Sequence, residues 1–311
     1  MSKPTGTMSA VDRVRQLYAK DKRVCRILDT SAPDVREYTK DDGVPLTPDE
    51  AWSLLLSQAC IPFNKIVQVA GKPDTGKSTM GLLLMLAAQK AGFKILLWDS
   101  EDKADMVRFQ RLGGVAADVL LIKTNEIIVG GQLVKDFINA LKSDDPDCKI
   151  LVIWDSIGGG VSRTNAEINR LKKKHSQPGQ EAKENGQVVK DIVTMMNIYP
   201  DSICVYMANQ TYAKIGFMQK GDKAKGGDGV EFFSSVIVFM KRLKVLTKTV
   251  GGQLVKTGII TEATVTKNHL SRADDSVYKM RFEVTSRGMK KSDFEFKKAE
   301  EGDEDGEDTE G

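Results

Sequence analysis

The residues of this chain with the most evident chemistry lie between 71 and 79, GKPDTGKST. Gly71-Lys72-Pro73-Asp74-Thr75-Gly76-Lys77-Ser78 is a complete G-x-x-x-x-G-K-[ST] sequence, and Thr79 follows it. Its glycines let backbone N–H groups turn inward around phosphate oxygens, and a helix start adds the positive end of its dipole. Lys77 would contact the β- and γ-phosphates of ATP, while Ser78 and Thr79 offer hydroxyls to Mg²⁺ and to phosphate. The motif needs a strand before it and a helix after it. Here KIVQVAG precedes it and STMGLLLML follows.

A phosphate loop also needs an acid on a neighbouring strand to complete the metal shell. The run LVIWD ends in Asp155, which takes that role beside Ser78. A second strand candidate ends in Trp98-Asp99-Ser100-Glu101-Asp102, three acids in four residues. A carboxylate placed there can orient and deprotonate an attacking water, so Glu101 is assigned as general base. Acids after strands also serve as helix caps, a role that suits Asp102.

Two further stretches are basic, broken by Gly or Pro, and without apolar periodicity, so they read as loops. One runs from about 163 to 186 and holds Arg163, Arg170, Lys172, Lys173 and Lys174. The other, about 211 to 227, begins where an apolar strand stops at Asn209-Gln210 and holds Lys214, Lys220, Lys223 and Lys225. Such cations suit backbone phosphates, which fix register without reading sequence. Tyr212 and Phe217 are placed to stack on bases. Lysine-rich loops are also commonly plain solvated surface, so the pattern acquires weight only from the sheet it follows.

The positioning elements are legible as short apolar runs near 65–71, 94–99, 118–123, 149–155 and 202–210. Helical stretches alternate with them near 77–91, 103–112, 131–142 and 187–198. Continuous apolar strands alternating with helices predict an α/β fold with a mostly parallel central sheet flanked by helices on both faces. Beyond 230 the chain turns β-rich, an antiparallel extension in which Gly251-Gly252 makes a hairpin turn. Toward the N-terminus, 11–28 has helical spacing, and Thr47, Pro48 and Glu50 read as the cap of a helix. The organisation expected is a helical and linker element over 1–60, a nucleotide-binding core over 61–298 and a disordered acidic tail over 299–311.

The net charge of +3 hides eight acids between 300 and 310, so the rest of the 311 residues is eight charges more basic than the whole. A basic body with an acidic end points to a polyanionic partner and a tail that competes with it. Cys25, Cys60, Cys148 and Cys204 have no metal-ligand spacing and read as reduced thiols. Nothing near the N-terminus looks like a signal peptide, and no apolar run reaches the roughly 18 residues of a membrane span. The expectation is a soluble cytoplasmic protein with no membrane partner.

Phosphate loop, strand-DSE, strand-DS, then strand-NQ leading into a Gly/Lys loop is a motif order that resembles the RecA-type recombinases, and the DSE form looks most like phage-encoded members. The match covers about 60 to 290, with Lys267-Asn268-His269 similar to a basic element of that family. The resemblance implies a RecA-like core using ATP and Mg²⁺, with Glu101 catalytic and Asp155 on the metal. It implies that Gln210 senses the γ-phosphate and that the two basic loops bind DNA. Lys267 would reach the ATP of a neighbouring subunit, and His269 stands where the family has a second cation, a charge Arg272 would otherwise supply. Where the family stacks an aromatic on adenine, this chain has Arg108-Phe109.

The function so implied is a DNA-dependent ATPase that forms helical filaments on single-stranded DNA and exchanges strands with a homologous duplex. Residues 11–60 would carry the contacts between subunits, and single-strand-binding and mediator proteins are further partners. A hexameric helicase or loader of the same core fold is the alternative. A third is a signalling or scaffold ATPase whose basic loops bind no nucleic acid.

Overall fold

A computed structural model describes residues 38–171, 179–213, 222–270 and 278–295. In chain order, β1 (Gly43–Pro45), α1 (Ala51–Leu56) and β2 (Cys60–Pro62) precede β3 (Ile66–Gly71) and α2 (Lys77–Lys90). Next come β4 (Lys94–Asp99), α3 (Met106–Arg111), β5 (Val119–Lys123), α4 (Ile127–Asp144), β6 (Ile150–Asp155), α5 (Arg163–Arg170) and α6 (Gln180–Ile198). The rest comprises β7 (Ile203–Ala213), β8 (Asp222–Ala224), α7 (Asp228–Phe233), β9 (Val236–Val250), β10 (Gln253–Asn268), β11 (Lys279–Thr285) and β12 (Gly288–Lys291).

The main sheet has the order β12-β11-β10-β9-β3-β7-β6-β4-β5, with β8 attached to β7. From β9 to β5 every pairing along this path is parallel, and from β9 to β12 every pairing is antiparallel. The parallel half is buried on two faces, which is why its strands are apolar without alternation. Met80, Leu84 and Met85 of α2 pack on one face together with Trp52, Leu55 and Ile61. Val134 and Ile138 of α4 and Val188, Ile192 and Met196 of α6 cover the other, where Trp98 and Trp154 stack at 4.1 Å. The predicted mostly parallel sheet with an antiparallel extension is therefore the observed architecture. Gly251 and Gly252 both take positive φ and join β9 to β10 in a two-residue turn that right-twisted strands favour.

Four local expectations are corrected. Thr47–Glu50 is a turn and the helix starts at Ala51, so Thr47 does not cap it. Residues 43–60, expected as part of a separate N-terminal element, are built into the main core. There β1 pairs with β2, and the Trp52 indole donates to the Met80 carbonyl at 3.0 Å. The helix read over 11–28 lies outside the described residues.

The third correction is that β7 does not stop at Asn209-Gln210. It continues to Ala213 because β8 returns beside it, pairing Thr211 with Ala224 and Tyr212 with Lys223. The fourth lies within 163–186, where Arg163–Arg170 is helix α5 and α6 already begins at Gln180. Carboxylates hold this segment rather than an apolar stripe. The Arg163 N–H donates to Glu184 at 3.0 Å, and the Asn165 side chain donates to Glu181. Polar staples of this kind leave no apolar period to read.

Candidate nucleotide site and its coupling residues

Residue by residue, the loop after β3 is shaped to hold phosphate. A side chain at Gly71 would put its Cβ 2.5 Å from the Met240 carbonyl of β9, so only glycine fits there. Asp74 and Gly76 take positive φ, and Gly76 leads directly into α2. Lys77 is buried, and its ammonium donates to the carbonyls of Gly71 at 2.9 Å and Lys72 at 2.8 Å. Burial pushes its pKa down, against the opposing fields of Asp155, Glu101 and Asp74. A buried ammonium held by main-chain carbonyls alone is a cation awaiting an anion. A triphosphate fits that requirement, and the exposed Ser78 hydroxyl beside it fits a hydrated Mg²⁺.

Asp155 and Glu101 reach this loop because β4 and β6 are in register, Asp99 beside Asp155. Ser100 and Ser156 tie the two strand ends reciprocally. The Ser100 hydroxyl donates to the Ser156 carbonyl at 2.6 Å and accepts from the Ser156 N–H at 3.0 Å. Asp155 accepts from the Ser78 hydroxyl, and burial pushes its carboxyl above the ordinary value. Asp99 shapes the following turn, accepting from the N–H groups of Glu101 and Ala104.

Burial works against ionised Glu101, but three donors outweigh it and hold the carboxyl below its ordinary value. Lys103 donates to Oε2 at 2.8 Å, while the Ser156 hydroxyl and the Gln210 amide, the latter at 2.6 Å, share Oε1. Gln210 therefore touches the proposed base directly, which sequence order alone did not show. The turn Ile157–Gly159 makes room for this. A Cβ on Gly158 would lie 2.8 Å from Gln210, and one on Gly159 would lie 2.5 Å from Glu101.

The cleft of about 450 Å³ beside α2 is lined by Asp74–Thr79, Arg108, Lys256–Ile259 and Val284–Ser286. Arg108 donates to the Thr79 hydroxyl at 2.9 Å and to the Thr285 carbonyl at 2.6 Å, which fixes its guanidinium plane in that cleft. Phe109, expected as an alternative base platform, is fully buried beneath Gly114 and cannot stack on a ligand. Lys256 was not anticipated; it sits on the β9–β10 hairpin with Arg242, both within about 3.6 Å of Asp74. A long-range strand pairing brings them there, so no local motif could have named them.

Lys267 donates to the carbonyls of Glu231 and Phe232, closing the C-terminal end of α7 in its own chain. Arg163 opens α5, and Arg170 pairs with Glu126. Tyr212 is exposed on β7. Lys225 donates to the Gln210 side-chain oxygen at 2.9 Å. Lys223 lies on β8, while Lys172, Lys173, Lys174, Lys214, Phe217, Lys220 and Arg272 lie outside the described residues.

A phosphate loop between a buried parallel strand and a helix, with strand-end acids facing it, defines a P-loop nucleotide-binding fold. The family model described as the RecA N-terminal domain matches residues 44–279. The chain belongs to the RecA family. Protein RecA of Streptomyces rimosus is 27% identical over 212 residues, covering 67% of this chain and 53% of that protein. Protein RecA of Sulfurovum sp. (strain NBC37-1) is 28% identical over 189 residues, covering 60% and 51%. Protein RecA of Xanthomonas campestris pv. campestris (strain B100) is 26% identical over 214 residues, covering 68% and 58%. The chain spans a little over half the length of these curated relatives.

Proposed function

We propose that the protein is an ATP-dependent DNA recombinase that polymerises on single-stranded DNA and exchanges strands with a homologous duplex. The observation that carries this reading is Gln210. One amide contacts the proposed base Glu101 at 2.6 Å, and its own strand ends at Ala213, next in sequence to the lysine-rich stretch 214–225. Gly71 to Thr79 would hold the triphosphate, Ser78 and Asp155 the Mg²⁺, and Arg108 the base. The bound cation would supply charge neutralisation on the phosphate oxygens. Glu101 orients the attacking water and accepts its proton, while Lys77 stabilises the developing charge. Lys267 would act on the site of the next subunit, residues 11–60 would carry contacts between subunits, and the acidic tail would compete with DNA.

Three buried thiols, Cys60, Cys148 and Cys204, suit a reducing bacterial cytoplasm. No helix among the described residues is long and apolar enough to cross a membrane. The deciding experiment is electron microscopy with single-stranded DNA and a non-hydrolysable ATP analogue, followed by a strand-exchange assay. Helical filaments and homologous joint molecules are expected. Closed hexamers with directional unwinding would replace this reading by a helicase.

A further inference from the structure

Lys225 was expected only as a cation for DNA, yet its ammonium points inward. It donates to Gln210 Oε1 at 2.9 Å, and Gln210 Nε2 donates in turn to Glu101 Oε1 at 2.6 Å. The backbone of Lys225 is pinned as well. Its N–H donates to the Gln210 carbonyl at 2.9 Å, and its carbonyl accepts from the Asn209 side chain at 2.6 Å.

The chemistry of the two side chains sets a direction. An ammonium offers three donors and no acceptor, and an amide has one accepting end and one donating end. With Lys225 on the oxygen of Gln210, the amide must present its NH₂ to Glu101, because a flip would set donor against donor. Glu101 then receives Gln210, Ser156 and Lys103 together. A carboxylate has about four lone-pair sites, so one is left for water. Each added donor also makes the carboxylate a weaker base.

We propose that Lys225 is a positioning residue of the hydrolytic site: it holds Gln210 on Glu101 in the DNA-free chain, and a nucleic-acid phosphate that takes Lys225 releases both. The inference rests on the reading that the chain hydrolyses ATP and binds DNA. The exchange runs in this direction because ammonium with phosphate pairs two charges, whereas ammonium with an amide oxygen pairs only one. Since the Lys225 backbone stays tied to β7, the ammonium moves without unfolding the strand end. The DNA signal thus reaches the base through one lysine and one amide.

The test is steady-state ATP hydrolysis by the full chain with and without a poly-dT oligonucleotide. Lys225→Met is expected to raise DNA-free kcat about tenfold, leave KM for ATP within about twofold, and shrink the stimulation by DNA. Lys225→Arg, which keeps a donor on Gln210, should restore low DNA-free turnover. In a Gln210→Ala background Lys225→Met should add nothing, the mark of two residues acting as one unit. The proposal is overturned if Lys225→Met leaves DNA-free kcat unchanged and only raises the DNA concentration needed for half-maximal stimulation. If the unaltered protein ignores DNA altogether, the DNA-binding reading fails. The DNA-free comparison of Lys225→Met, Lys225→Arg and the unaltered protein still decides whether the relay exists.

Discussion

The ends of β3, β4 and β6 and the surface formed by α5, β7 and β8 use polar residues in opposite ways. At the strand ends, Lys77, Ser100 and Ser156 are buried, and partners from neighbouring strands or their own loop fix each one. On the other surface two cations are each held by a single side chain that a ligand could replace, Arg170 by Glu126 and Lys225 by Gln210. The first region is fixed in one arrangement before any ligand arrives, which is what preorganised chemistry requires. If the second binds DNA as proposed, a phosphate that takes Arg170 or Lys225 must displace a partner already present. Gln210 touches both regions, through Glu101 and through Lys225, which is the contact the proposed coupling requires.

The largest expected effect strikes the preorganised region. Lys77→Ala should lower kcat for ATP hydrolysis by about 10²–10³ and weaken nucleotide binding. Glu101→Gln should lower kcat by about 10²–10⁴ while ATP and DNA binding persist, leaving over-stable filaments. Nucleotide titration alongside turnover separates the two variants. Normal hydrolysis by Glu101→Gln would move the base to another residue.

Adjacent residues on α3 sharpen the contrast. Phe109→Ala should cost about 3–5 kcal/mol of stability, because the ring is fully buried beneath Gly114. Arg108→Ala should instead raise KM for ATP about tenfold with kcat little changed, since the guanidinium lines the cleft and touches Thr79. Chemical denaturation and ATP kinetics on both variants check the pair. A large stability loss in Arg108→Ala with unchanged KM would remove Arg108 from the nucleotide site.

Asp155 gives a smaller effect with an unusual sign. Burial raises its carboxyl pKa, so the ionised form destabilises the nucleotide-free fold at neutral pH, and that cost disappears as pH falls through the folded pKa. Glu101 behaves oppositely: its depressed pKa contributes stability above the unfolded value that is lost as pH falls through the folded one. Asp155→Asn should therefore raise the melting temperature of the nucleotide-free protein by about 2–4 °C at pH 7, while weakening Mg²⁺-dependent ATP binding. Thermal melts over an acid pH series should show the gain shrinking as pH falls. A loss of stability at pH 7 would mean that the Ser78 hydrogen bond outweighs burial.

Much of the preorganised region was legible because its signals are local. The glycines of the phosphate loop, the apolar runs before Asp99 and Asp155, and the turn at Gly251-Gly252 all lie within a few residues of what they specify. What escaped reading depends on pairing at a distance. The continuation of β7 to Ala213 needs β8, and Lys256 reaches the cleft only through the β9–β10 hairpin. Helix α5 escaped because Glu181 and Glu184 hold it with polar contacts. Phe109 shows the converse error. An aromatic near the right spacing reads as a base platform, but the residue beside it faces the cleft while the ring fills the core.

Arg170 offers the mildest test of the exchangeable surface. Its side chain is about two-thirds exposed and its partner is the single carboxylate of Glu126. An ion pair this exposed contributes at most about 1 kcal/mol, so Arg170→Gln should scarcely move the melting temperature. If the guanidinium leaves Glu126 for a phosphate, the same change should reduce the slope of log affinity against log salt by about 0.7 for single-stranded DNA. Glu126→Gln should act the other way and strengthen DNA binding, because it removes the competing carboxylate and leaves the cation in place. Fluorescence anisotropy with a labelled oligonucleotide over a salt series measures both variants. Equal salt slopes in Arg170→Gln and the unaltered protein would confine Arg170 to bracing α5 against Glu126, and the DNA surface would then have to be drawn through β7 and β8 alone.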